Sequence, residues 1–177
     1  SMSITPRVDL SEWEALYDTF DAGHQRDHME RDRQFALKLA EAHCPDQTEL
    51  AYVAATLHDT GLKDGREGHE ENGALTIAND PSLKQAYSQE ELALIVEAIR
   101  EHRASSGNPV SMVAKVVSDA DKTSDSTKTF IQRALRDITE DDVDKIWVDD
   151  KSAYKQVEKF ILKYLPNMKG RLKQYTG

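Results

Sequence analysis

The residues in this sequence best suited to chemistry are its histidines and the carboxylates near them. Six histidines occur. Five of them, His24, His28, His58, His69 and His102, fall at the ends of expected helices or beside turns. His58 and Asp59 follow the apolar run Ala54-Ala55-Thr56-Leu57, so a helix delivers an imidazole and a carboxylate side by side at its C-terminal end. Burying such a pair is costly unless something compensates it. A divalent cation does so, because both side chains coordinate and the cation neutralises the acid. A plain hydrogen-bonded His-Asp pair is the rival reading of the dipeptide taken alone. Neighbouring residues on a helix diverge by about 100°, so the pair can embrace one ion or the aspartate can bridge two. Upstream, His24 and His28 are four residues apart and share a helical face. Downstream, Val116-Val117-Ser118-Asp119-Ala120-Asp121-Lys122 ends an apolar helix in two carboxylates and a lysine.

The elements that must position these groups are helical. Apolar residues recur at helical spacing almost throughout, and alternating strand patterns are scarce. A first long helix is expected over about residues 26–43, stopped at Cys44-Pro45-Asp46. The next begins at Thr48-Glu49, carries Leu50 to Leu57, and ends at Gly61 as a C-cap. Lys63–Gly68 reads as a polar loop, and a helix runs from about His69 to Asn79 before a break at Asp80-Pro81. Ser88 is an N-cap followed by the acidic turn Gln89-Glu90-Glu91; its helix carries Leu92, Ile95, Val96 and Ile99 and reaches His102. After the loop Ser105–Pro109 comes an apolar helix over Val110–Asp121. Further helices are expected at about 126–136, 139–147 and 151–164. In the last, Tyr154, Val157, Phe160, Ile161 and Tyr164 form an apolar stripe, while Lys151, Lys155, Lys159 and Lys163 repeat on another face, as in a buttress with solvated lysines. No repeat or linker-like stretch appears, and one domain is expected over residues 1–177.

Composition narrows the function. Hydrophobic residues make up 38% and charged residues 31% of the 177, a balance typical of a globular chain. No run of eighteen apolar residues occurs, so no membrane span is expected. The first twenty residues lack an apolar signal-peptide core, and the single cysteine, Cys44, has no partner for an internal disulfide; both fit a cytoplasmic protein. A net charge of −9 argues against binding a nucleic-acid polymer, yet a metal centre supplies positive charge locally for a small phosphorylated substrate. His69-Glu70-Glu71-Asn72-Gly73 begins like a zinc-protease helix but lacks the second histidine, and no phosphate-binding glycine loop or serine elbow is present.

The order His, then His-Asp, then Asp resembles the HD superfamily over about residues 20–135. The flanks "HMERDRQFALKLA", "AATLHDTG", "GHEENGA", "AIREH" and "VVSDADK" are similar to that family as well. The resemblance implies an all-α helical bundle around a divalent metal site, with His28, His58, Asp59 and Asp121 in the ligand positions. Asp121 is preferred to Asp119 because the family's ligand aspartate is commonly followed by a basic residue. In two-metal members, histidines in the intervals held by His69 and His102 complete the ligand set of the second metal, and the aspartate of the His-Asp pair bridges. The resemblance is closest to small bacterial hydrolases of nucleotides, including dinucleoside polyphosphates. It implies two divalent ions, iron or manganese ahead of magnesium, cobalt or nickel.

The expected activity is metal-assisted hydrolysis of a phosphoester or phosphoanhydride, with a small phosphorylated substrate such as a nucleotide as partner. Asp59, His24 and Lys122 are the candidate catalytic groups, His24 as proton shuttle or support for His28. Lys122 and Arg103, then Arg31, Arg100 and Lys63, are candidate phosphate holders. Tyr52, Tyr87 and Phe130 are aromatic side chains that would stack on a base or serve in the core. Two alternatives stand beside hydrolysis: a mixed-valent di-iron oxygenase, which the six-ligand pattern also fits, and a regulatory module with a non-catalytic metal site. Hydrolysis of guanosine tetraphosphate ranks low, because Thr60-Gly61-Leu62-Lys63 lacks the acidic pair those enzymes carry there.

Overall fold

The structure, a computed structural model, describes residues 4–21, 24–103 and 106–123, with side chains through Asp121. The helices expected beyond residue 125, Phe130 and the lysine-bearing stripe lie outside the described residues. Among the described residues the chain forms seven α-helices and no strand. They are α1 (Ser11–Leu16), α2 (Arg26–His43), α3 (Thr48–Leu57), α4 (His69–Ala78), α5 (Pro81–Ala86), α6 (Gln89–Arg100) and α7 (Met112–Thr123). The all-α fold class is therefore as expected.

The most apolar helix sits in the middle. α3 buries Leu50, Ala51, Val53, Ala54, Ala55, Thr56 and Leu57, and a helix apolar on nearly every side must be surrounded. It packs against α2, α6 and α7. α2 runs alongside with a stripe at positions 28, 32, 36 and 40, four residues apart and all buried. The C-terminal members of that stripe, Ala36 and Ala40, join the apolar core. Its N-terminal members are His28 and Asp32, so the core-facing side of α2 turns polar where it passes the end of α3.

The remaining helices are set by local signals. Ser88 and Glu91 form a capping box at the start of α6, satisfying backbone donors that a helix end leaves open. α6 buries Leu92, Ile95, Val96, Ala98 and Ile99 and stops at Arg100, so His102 lies just past its end instead of within it. α7 starts at Met112 and not at Val110, because the Glu97 carboxylate accepts from the Val110 and Ser111 N–H groups (2.8 and 3.2 Å) and the Ser111 hydroxyl accepts from Ala114 N–H (3.1 Å). Asp80-Pro81, expected as a break, also opens the short helix α5, with the Asp80 carboxylate accepting from Leu83 N–H and proline in the first turn. Arg7 ties the N-terminal segment down: it pairs with Glu49 (3.0 Å) and Glu91 (2.6 Å) and stacks on Tyr87.

Gly61 corrects the sequence reading. It is not a left-handed C-cap; positive φ among the described glycines belongs to Gly65 and Gly68. α3 gives way to a 3-10 turn over Thr60–Asp64, and this turn presses on the first turns of α4. A Cβ on Gly61 would lie 1.9 Å from the His69 carbonyl oxygen and 2.7 Å from Gly73 N. Glycine is there to let two backbones touch, and that contact seats His69.

Candidate metal centre

Five separate places in the chain meet beyond the end of α3. His28 and Asp32 come from α2, and His58 and Asp59 follow α3. His69 opens α4, His102 follows α6, and Asp121 lies near the end of α7. His28, Asp32, His58, Asp59 and His102 are almost wholly buried, His69 nearly so, and Asp121 keeps 21% of its side chain exposed.

Asp59 is the hinge of the arrangement. Its Oδ2 lies 3.1 Å from His58 Nε2 and 3.6 Å from His28 Nε2. Its Oδ1 faces the other way, 3.2 Å from His69 Nε2 and 3.3 Å from His102 Nε2. On the first side Asp121 Oδ1 is 3.4 Å from both His28 Nε2 and His58 Nε2. Asp32 Oδ2 joins them at 3.2 and 3.0 Å.

These spacings fit metal ligation. Donors about 2.1 Å from one ion stand about 3.0 Å apart in octahedral and 3.4 Å apart in tetrahedral geometry. Ligand-competent atoms of His28, Asp32, His58 and Asp121 all lie within 4.8 Å of one another, as do those of His58, Asp59 and His102. His58 Nε2 makes the same point by its alignment. It is buried within 3.4 Å of three carboxylate oxygens, yet makes no hydrogen bond with good geometry among the described residues. The His58 ring is thus not aimed at any single one of these oxygens. The donor set of imidazoles and carboxylates suits a divalent transition metal.

Three of the imidazoles are fixed by backbone carbonyls. Nδ1 of His58 lies 2.5 Å from Ala55 O, Nδ1 of His69 3.1 Å from Arg66 O, and Nδ1 of His102 2.7 Å from Ile99 O. A carbonyl only accepts, so Nδ1 carries a proton, and Nε2 presents its lone pair to the cluster once its own proton is lost. Beneath the pair lies Tyr17, fully buried in the 3-10 turn after α1. Its hydroxyl donates to Thr56 O (2.7 Å) and accepts from Asp59 N–H (3.2 Å). It thereby ties the last turn of α3 to the backbone of Asp59.

Protons are unevenly shared within the cluster. Burial opposes charge on His58, but Asp59, Asp121 and Asp32 outweigh it and hold the imidazole well above its usual range. Burial also opposes charge on His69, and Asp59 again raises it. For Asp59, burial is outweighed by the charge of His58 and by the imidazoles of His102, His28 and His58 around it, which keep it well below the usual carboxylate range. Asp121 is lowered by His28 and His58 against the same burial. Asp32 goes the other way: burial, then repulsion from Asp121, raise it well above its usual value. Loading an ion must therefore displace protons.

All six side chains expected as ligands, His28, His58, Asp59, His69, His102 and Asp121, come to this one place. His24 stands beside it, its ring 5.9 Å from that of His28 and its Nδ1 2.6 Å from Asp21. The expected phosphate holders are more scattered. Arg31 pairs with Asp27 (3.2 Å) and Arg100 with Glu71 (2.8 Å), and Lys63 is exposed. Arg103, next to His102, lies 3.6 Å from Glu70, whose Oε2 is 3.4 Å from His69 Nδ1. The Lys122 side chain lies outside the described residues. Tyr87 is a core residue, its hydroxyl bonded to Glu49 and its ring under Arg7, so it is not free to stack on a base. Tyr52 sits under Arg33.

Asp32, Tyr17 and Glu70 were missed by sequence reasoning. The spacing of Asp32, four residues after His28, was a usable signal; for Tyr17 nothing local marks its partners.

The HD domain family model matches residues 26–125, more than half of the chain, and the chain belongs to that family. The ribonuclease E/G family model matches residues 86–177 and overlaps the first over 86–125. The structure places the described part of that overlap, with His102 and Asp121, inside the bundle that forms the cluster. Neither a curated protein nor a solved structure gives a significant match. Among the described residues no helix is long and apolar enough to cross a membrane.

Proposed function

We propose that this chain is a metal-dependent phosphohydrolase acting on a nucleotide or another small phosphorylated substrate. The two faces of Asp59 carry the proposal: Oδ2 meets His28 and His58, while Oδ1 meets His69 and His102. Residues so placed would hold two divalent ions, with Asp121 on the side of His28 and His58. Bound divalent ions activate water near neutral pH and neutralise charge on a phosphoryl group. The protein's share is positional. Hydrogen bonds from Nδ1 to backbone carbonyls fix the Nε2 atoms of His58, His69 and His102, and Tyr17 fixes the backbone of Asp59. Arg103 beside His102, and Lys122 beside Asp121, are the cations nearest the ligands in sequence and would bind the phosphate. His24, part-exposed and edge-on to His28, is placed to pass a proton between the cluster and solvent.

The test is Asp59→Ala with metal content and phosphate release measured together on a panel of nucleotides under anaerobic conditions. The wild type should hold about two ions and release phosphate without oxygen, and the variant should lose both properties. Turnover by an Asp59→Ala protein with full metal content would refute the assignment. Product formed only when oxygen is admitted to the iron-loaded protein would assign a di-iron oxygenase instead. A single-stranded RNA in the same panel tests what the ribonuclease E/G match implies.

A further inference from the structure

The two halves of the cluster are not alike. On one side of Asp59 stand five donors: His28 Nε2, His58 Nε2, Asp32 Oδ2, Asp59 Oδ2 and Asp121 Oδ1, with imidazole-to-carboxylate spacings of 3.0 to 3.6 Å. On the other side stand three: His69 Nε2, His102 Nε2 and Asp59 Oδ1. The difference includes Asp32, which the six-ligand pattern leaves out.

Asp32 offers a carboxylate oxygen within 4.8 Å of the ligand-competent atoms of His28, His58 and Asp121. It lies mid-helix on the core-facing stripe of α2 and is 1% exposed, a position where an isolated carboxylate is strongly disfavoured. A hydrogen bond from neutral His58 would not explain it. His58 commits Nδ1–H to Ala55 O, so a neutral ring turns the Nε2 lone pair towards the Asp32 oxygen 3.0 Å away. Two electron-rich atoms at that distance repel unless a proton or a metal ion lies between them, and loading an ion replaces the proton.

We propose that Asp32 is a direct metal ligand, and that it makes the centre unequal: a tight site of five donors and a looser, exchangeable site at His69 and His102. This rests on the metal-centre reading above. Three carboxylates converge on the tight site, one of them shared, whereas the looser site draws only on the shared one. The first divalent ion therefore enters between α2, α3 and α7. The second has three protein donors, leaving about half of a six-coordinate shell open to water and substrate.

Cobalt(II) titration of the metal-free full chain tests this, followed by calorimetry and by visible d–d absorption. The wild type should bind in two steps, the first at least about tenfold tighter. Asp32→Asn should weaken the first step by about 100-fold or more, beyond the 10–100-fold typical of losing a residue that only supports a ligand, and should shift the d–d bands of the first ion. His102→Gln should remove the second step and leave the first, with its spectrum, unchanged. A first step within about threefold of wild type in Asp32→Asn, with unaltered bands, would overturn the ligand role while the metal centre stands. Should Asp32→Asn not fold, as judged by circular dichroism, the other two proteins decide. Equal steps in the wild type, or loss of the first step in His102→Gln, would overturn the ranking. Failure of the wild type to bind cobalt at all would bring down the metal-centre reading itself.

Discussion

Tyr17→Phe removes one buried oxygen atom and nothing else. The tyrosine is fully buried, and its hydroxyl donates to Thr56 O at 2.7 Å and accepts from Asp59 N–H at 3.2 Å. Burial also pushes its pKa above the ordinary tyrosine value, so it stays a neutral donor. Phenylalanine keeps the ring in place, which leaves a backbone N–H and a backbone carbonyl each short of a partner. An orphaned buried polar group costs about 1–3 kcal/mol, and the carbonyl at a helix end suffers less than the N–H. The expected loss is thus about 2–4 kcal/mol. For a chain of this size, about 2–4 °C per kcal/mol converts that to a fall in Tm of about 4–16 °C. Urea denaturation of metal-free protein gives the free energy directly, and the same sample gives metal affinity. Because the Asp59 backbone loses its anchor, affinity should fall about tenfold, at the low end of what a supporting residue contributes. A variant within about 0.5 kcal/mol of wild type, the range of an ordinary surface change, would refute the idea that this hydroxyl ties α3 to the centre.

Two further outcomes follow from the geometry. Gly61→Ala should destabilise by at least about 3 kcal/mol, the upper end of overpacking penalties, because its Cβ would meet backbone at 1.9 Å and that backbone belongs to His69; a soluble variant with wild-type Tm would contradict the contact. The pH response should reverse sign on loading. His58 and His69 have raised folded pKa values, so their stabilisation of metal-free protein is full below the unfolded value near 6.5 and is lost as pH rises through the folded values. Asp59 and Asp121 are lowered, and their contribution is lost only as pH falls through their folded values. Ion binding needs the histidines deprotonated. The Tm gap between loaded and metal-free protein should therefore widen from about pH 6 to about pH 9, and a gap that narrows would count against imidazole ligation.

Much of this was legible in the sequence where the signal is local. α2 spans 26–43 as its apolar spacing and the Pro45 stop imply, and Ser88 with Glu91 marks the start of α6. The histidines stood out because few occur and because His58-Asp59 ends an apolar run. Asp32 did not, since α2 is crowded with charge in RDHMERDR, and only the packing of α2 on α3 shows which charge faces inwards. α5 is too short to display a period. Gly61 looked like a helix terminator because glycine is common there, but its true constraint is a backbone eight residues away. Tyr17 depends on a contact 42 residues along the chain, which no local pattern records.

One local device recurs at the site, and it explains why the histidines of the cluster sit where they do. His58, His69 and His102 each direct Nδ1 to the carbonyl three residues earlier, of Ala55, Arg66 and Ile99. The last four carbonyls of a helix have no partner within it; His58 follows directly on α3 and His102 lies two residues past α6. A single hydrogen bond therefore satisfies part of the helix end, sets the tautomer and turns Nε2 away from the helix. What the fold adds is convergence. α3 is buried enough to carry its pair to the centre of the bundle, α6 packs beside it, and the Gly61 contact brings the first turn of α4 close enough for His69 to reach the same carboxylate. A histidine moved one residue along any of these segments would point in another direction. It would lose its carbonyl at i−3 and with it the direction of Nε2, so placement of the lone pair, rather than the presence of histidine, is what the sequence order at these ends specifies.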